Sequence, residues 1–147
     1  MSASTAALLT GYLGSIDGSV PFDWAANNCA HFAGNWWLQA TGNDALLGLP
    51  MPATAEAAAD CLAAMGGSLA AVVGRRIDRR RIDPRLAQAG DLVIIGRGYA
   101  PSCGAAGIGA ALGICTGRLA AMLSIDGRVV YGPMVGVSGA FALRATA

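Results

Sequence analysis

Cys29 stands two residues before His31, the only histidine in 147 residues. A thiol directly after an asparagine, at the predicted first turn of a helix, is placed for nucleophilic chemistry. The positive end of the helix dipole and the free N–H groups of the first turn favour a thiolate. The same N–H groups can serve in an oxyanion hole. A cysteine hydrolase also needs an imidazole as base and acid. Residues two apart in a helix point to nearly opposite sides, so His31 cannot pair with Cys29 on an unbroken helix. His31 is therefore read as a surface or interface residue. An active Cys29 would need an unusual base, Asp23 or Asp91, or a histidine lent by a partner subunit.

The positioning helix is the clearest element in the chain. Asn28 is its predicted N-cap, accepting from free backbone N–H groups. Cys29, Phe32, Ala33, Trp36, Trp37 and Ala40 recur at helical spacing as one apolar stripe, with His31, Asn35 and Gln39 away from it. Gly42 supplies the C-cap signal. Cys29 is thus expected on the buried side. Trp36 and Trp37 are expected as core or groove wall, and Trp24, before the helix, as the better groove candidate with Asn28 and Asp91.

Around that helix, the pattern predicts a short helix over Thr5–Leu13 ended by Gly14, and a third over Thr54–Met65 stopped by Gly66–Gly67. A fourth runs from a Ser68 cap through Val73. After Gly90–Asp91 the period changes. Leu92–Ile95, Ala111–Thr116, Leu119–Ser124 and Arg128–Tyr131 read as strands, with turns at Gly117–Arg118 and Asp126–Gly127. Ala140–Arg144 is a candidate final strand, and Gly96–Gly109 a mobile Gly-rich loop holding Cys103. Helices first and an antiparallel meander second make an α+β domain, helical to about residue 88 and sheet over 89–147.

Charged residues are only 13% of the chain and apolar ones 54%, against about 25% charged in ordinary soluble domains. Either part of the surface is covered by another protein, or a GC-rich genome has favoured Ala, Gly and Arg codons. The net charge of +1 gives no global attraction to nucleic acid or acidic lipid. Arg75, Arg76, Arg79, Arg80, Arg81 and Arg85 nevertheless crowd one stretch, read as a solvated or partner-facing arm anchored by Ile77 and Ile82. No aromatic residue interleaves with them, which argues against nucleic acid. Cys29, Cys61, Cys103 and Cys115 show no CxxC spacing, so neither a zinc site nor another cofactor is expected. Met1–Leu13 lacks a basic, apolar signal-peptide pattern. The uncharged run Gly98–Gly117 holds six glycines and Pro101, which speaks for a loop and strand over a membrane span. Synthesis in the cytoplasm is expected.

The segment Pro21-Phe-Asp-Trp-Ala-Ala-Asn-Asn-Cys-Ala-His-Phe-Ala-Gly-Asn-Trp-Trp resembles the nucleophile helix of the papain-like NlpC/P60 superfamily. It is most similar to a group of small phage and prophage proteins with a Trp, then Asp-Cys, then Phe and Ala-Asp-Trp. Ala89-Gly-Asp-Leu-Val-Ile resembles that superfamily's Gly-Asp-Leu-Val strand, and Ala111-Leu-Gly-Ile-Cys-Thr-Gly its His-Val-Gly-Ile-Tyr-Leu-Gly strand. These matches lie near both ends of Phe22–Gly117. The resemblance implies a papain-like fold, with N-terminal helices on a C-terminal antiparallel sheet. It implies a virion protein of the phage tail, made in the host cytoplasm, whose partners are other tail proteins met through Arg75–Arg85 and apolar surface. It also implies Cys29 as the former or present nucleophile of a peptidase cutting peptidoglycan. The catalytic histidine's position holds Ala111, Arg128–Tyr131 offers no third polar residue, and Asn28 replaces the usual Asp before the cysteine. The expected function is a tail-associated structural or assembly protein with a degenerate hydrolase site. The alternative is an active cysteine endopeptidase or amidase for cell-wall penetration.

Overall fold

The computed structural model describes residues 3–18, 21–49, 51–99 and 109–144. Four helices come first: α1 (Ala3–Ile16), α2 (Cys29–Thr41), α3 (Ala55–Met65) and α4 (Leu69–Ile77). Five strands follow: β1 (Leu92–Gly96), β2 (Ala110–Cys115), β3 (Leu119–Leu123), β4 (Val129–Pro133) and β5 (Val137–Phe141). All pair antiparallel, in the order β4-β3-β2-β1-β5. The chain is thus α+β, as its change of period implies. Of the Gly96–Gly109 loop, Gly96 ends β1 and Arg97–Tyr99 form a 3-10 turn. Residues 100–108, Cys103 among them, lie outside the described residues.

The helix caps follow the local chemistry. Asn28 caps α2 and Gly42 closes it in the left-handed conformation at φ 80°. Thr54 and Ser68 cap α3 and α4 by accepting from Ala57 and Ala71 N–H. Two helices outrun their sequence limits. α1 continues through Gly14 to Ile16, with Leu9, Tyr12 and Leu13 on its buried side. α4 continues through Gly74 to Ile77 and takes in Arg75 and Arg76. No single helix among the described residues is long and apolar enough to cross a membrane.

The sheet carries a core on each face. Leu92, Ile94, Leu112, Ile114 and Phe141 meet Tyr12, Phe32, Trp36 and Trp37 from the helices. Val93, Ile95, Ala111, Cys115, Met122 and Ala140 form a second cluster on the other face, closed by Ile82, Ala87, Val130 and Met134. Burial on both faces explains why β1 reads as an unbroken apolar run instead of an alternation. The last strand is Val137–Phe141, three residues earlier than its sequence signal.

Two long-range hydrogen bonds anchor α2, one to the turn before β1 and one to α1. Trp36 Nε1–H donates to Gly90 C=O at 2.8 Å, and Tyr12 O–H donates to Phe32 C=O at 2.5 Å. At Gly90 φ is +97°, and a Cβ there would press on Leu143, Thr5 and Trp36. Glycine is required at that junction both by conformation and by space.

Candidate functional site

The start of α2 is held by a local network. Asn28 Oδ1 accepts from Ala30 N–H at 2.8 Å and His31 N–H at 3.1 Å. Asn28 Nδ2–H donates to Trp24 C=O at 2.7 Å. Asn28 N–H donates to His31 Nδ1 at 3.0 Å, so the neutral ring carries its proton on Nε2. This is a capping box with histidine in the place usually held by Glu or Gln. His31 is half-buried and is engaged in the cap. It completes the helix N-terminus, and the Asn28-x-x-His31 spacing was the signal for it.

Asp23 is engaged in the turn before the helix. Its Oδ1 accepts from Ala25 and Ala26 N–H at 2.8 and 2.9 Å, and its backbone pairs with Asn27. That turn presents Trp24 edge-on to Phe22, with ring centroids 5.1 Å apart.

Trp24, Asn28 and Cys29 line one cavity of about 120 Å³, walled by Trp37, Cys61 and Leu112 among other apolar side chains of α2, α3, α4 and the sheet. Cys29 is buried, with 6% of its surface exposed. Burial pushes its thiol above the ordinary range, and the opposing pull of backbone groups at Leu112, Cys29 and Ala30 is smaller. At neutral pH the sulfur is a protonated thiol, the reverse of an activated nucleophile.

Among the described residues the sheet brings no base to it. On β2, Leu112 and Ile114 share the thiol's core, while Ala111 belongs to the cluster on the opposite face. The position aligned with a catalytic histidine thus faces away from Cys29. Asp91, expected at the groove, does not line the cavity. Its carboxylate is buried behind the sheet's first strand, accepting from Gln88 N–H and Leu143 N–H at 2.8 Å each. Sequence reading missed this because one of those donors lies 52 residues further on. Cys115 is a core residue whose thiol burial also raises. Among the described residues no group of three or more His, Cys, Asp or Glu is placed to hold a metal.

The arginine-rich stretch is not a free arm. Arg76 donates to Ala45 C=O at 3.0 Å and to Leu47 C=O. Arg79 donates to Ala142 and Leu143 C=O at 3.2 and 3.4 Å and lies 5.3 Å from the centre of the Trp37 ring. Arg81 donates to Ser138 C=O at 2.9 Å. Ile82 exchanges backbone bonds with Ala140 at 2.8 and 3.3 Å, which closes the outer edge of β5. The segment is a strap that ties α4 to the last strand.

The profile of a domain of unknown function, DUF6950, matches residues 6–143. The chain belongs to the DUF6950 family. The match runs from within α1 to just past β5 and takes in the thiol, the cavity and the arginine strap together. No curated protein matches the chain. In this DUF6950 member the arrangement around Cys29 can hold an apolar group against Trp37 and Leu112. It offers that group no proton acceptor, because the only imidazole is consumed by the helix cap and Asp23 and Asp91 are consumed by backbone N–H groups.

Proposed function

We propose that the chain is a structural or assembly protein of a phage or phage-like tail, built on a papain-like, NlpC/P60-type plan whose hydrolase site is degenerate. The supports for the plan are the motif around Cys29 and the order of elements, a cysteine at a helix N-terminus followed by an antiparallel sheet. The observation that carries the degenerate reading is the buried Cys29 thiol, walled by Trp37 and Leu112, with burial holding it above the ordinary pKa range. Attack on an amide there forfeits about 10²–10⁴-fold from proton transfer, and the leaving amine departs unprotonated.

The test is alkylation of native protein, mapped by mass spectrometry across pH, beside the infectivity of particles carrying Cys29→Ala. The expected result is labelling of Cys29 only after denaturation, the chain present in purified particles, and full infectivity of the variant. Rapid native labelling below the usual thiol range of about 8.5, with Cys29-dependent cleavage of muropeptides, would replace this reading with the cell-wall peptidase. Absence of the chain from purified particles would overturn the tail assignment.

A further inference from the structure

The described residues contain only two salt bridges, Arg85–Asp83 and Arg128–Asp126. Among the described residues Arg75, Arg79, Arg80 and Arg81 have no carboxylate within bonding distance, yet all four line one open cleft of about 530 Å³ between α4 and β5. Three of them are fixed by backbone carbonyls: Arg75 by Met65, Arg79 by Ala142 and Leu143, and Arg81 by Ser138. A carbonyl orients a guanidinium without cancelling its charge. Each still has N–H donors to spare, since a guanidinium carries five. Arg80 is exposed and makes no hydrogen bond or ion pair among the described residues. Asp78 is the single acidic group lining the cleft, so four positive charges face one negative.

Four arginines lining one cleft with a single carboxylate leave it positively charged, and a multiply charged anion neutralises that charge. The planar N–H pairs of a guanidinium match phosphoryl oxygens two at a time. We infer that this cleft binds a compact phosphate-bearing ligand through Arg75, Arg80 and Arg81, with Arg79 holding the wall. A nucleic acid fits less well. The one aromatic side chain lining the cleft, Phe141, is 1% exposed, so no ring is available for base stacking.

Pyrophosphate is the probe, titrated calorimetrically into the full chain at fixed ionic strength, beside a 20-nucleotide single strand. Arg80→Gln removes a cleft charge that supports no intramolecular contact. Arg85→Gln removes the same charge outside the cleft, where Asp83 already neutralises it. The expected result is saturable one-to-one binding of pyrophosphate, weakened at least tenfold by Arg80→Gln and unchanged by Arg85→Gln. Equal weakening by both variants would reduce the effect to net charge and overturn the site. So would binding of the oligonucleotide without saturable binding of pyrophosphate. Neither result bears on the role of Cys29, because the cleft and the thiol's cavity are separately lined.

Discussion

Asn28 carries more of the site than the thiol beside it. Its side chain accepts two N–H groups and donates to Trp24 C=O, so one residue fixes both the helix start and the turn before it. Asn28→Ala is expected to cost about 1–2 kcal/mol by loss of the cap, read as a lowered urea midpoint with an unchanged slope. His31 adds a pH dependence. Burial lowers its pKa, and the nearby Asp23 charge raises it by less. The folded state therefore binds a proton less readily than the unfolded chain. The cap's contribution is complete above the unfolded value of about 6.5 and is lost as pH falls through it toward the folded value. From pH 7.5 to 5 the urea midpoint of wild type is expected to fall relative to that of His31→Gln, since glutamine can keep the box without titrating. Cys29 and Asn28 were legible from sequence because a cap is built from neighbours in the chain. Asp91 was misplaced because its partners are set by tertiary structure.

At the scale of elements, the glycines divide into stops and fits. Gly42 and Gly66 end helices with positive φ, and their positions were readable. Gly74 is a fit. A Cβ there would lie 3.1 Å from Phe141 and 3.2 Å from the Arg79 carbonyl, so α4 runs through it to bring Ile77 into the core. The sequence pattern ended the helix at Val73, one residue before Gly74. β5 was read three residues late because Ser138 and Gly139 follow Val137 and interrupt its β-branched signal. Gly139 is small for a tertiary reason, since the Arg81 side chain crosses over it. Gly113 in β2 is the most demanding fit. A Cβ there would stand 2.4 Å from the Ala121 carbonyl and 2.7 Å from Ile95. Gly113→Ala is expected to cost about 3 kcal/mol or more, because backbone cannot yield as a side chain can. A fall in the melting temperature, with loss of near-ultraviolet ellipticity at lower temperature, would register it.

For the whole molecule, the α+β class was legible from the change of period alone. The second core was not, because burial on both faces of a sheet erases the alternation that marks an inner side. The arginine strap was read as an arm for a related reason: its acceptors are backbone carbonyls from remote segments, which no side-chain pattern reveals. Asp91 is the tightest of these remote ties. Asp91→Asn keeps the shape but sets an amide N–H against a backbone N–H, and is expected to cost about 2–3 kcal/mol, measured by urea denaturation. Asp91→Ala is expected to cost more.

The tie from Asp91 to Leu143 also sets when the protein can be completed. Phe141 belongs to the main core, and β5 supplies the outer neighbour of β1. Both come from the end of the chain, whereas Trp36 and Trp37 come from its first third. A ribosome therefore makes the helix that carries both tryptophans long before the surfaces that enclose it exist. The growing polypeptide must hold those indole rings in water, or lend them to a chaperone, until β1, β2 and Phe141 have cleared the exit tunnel.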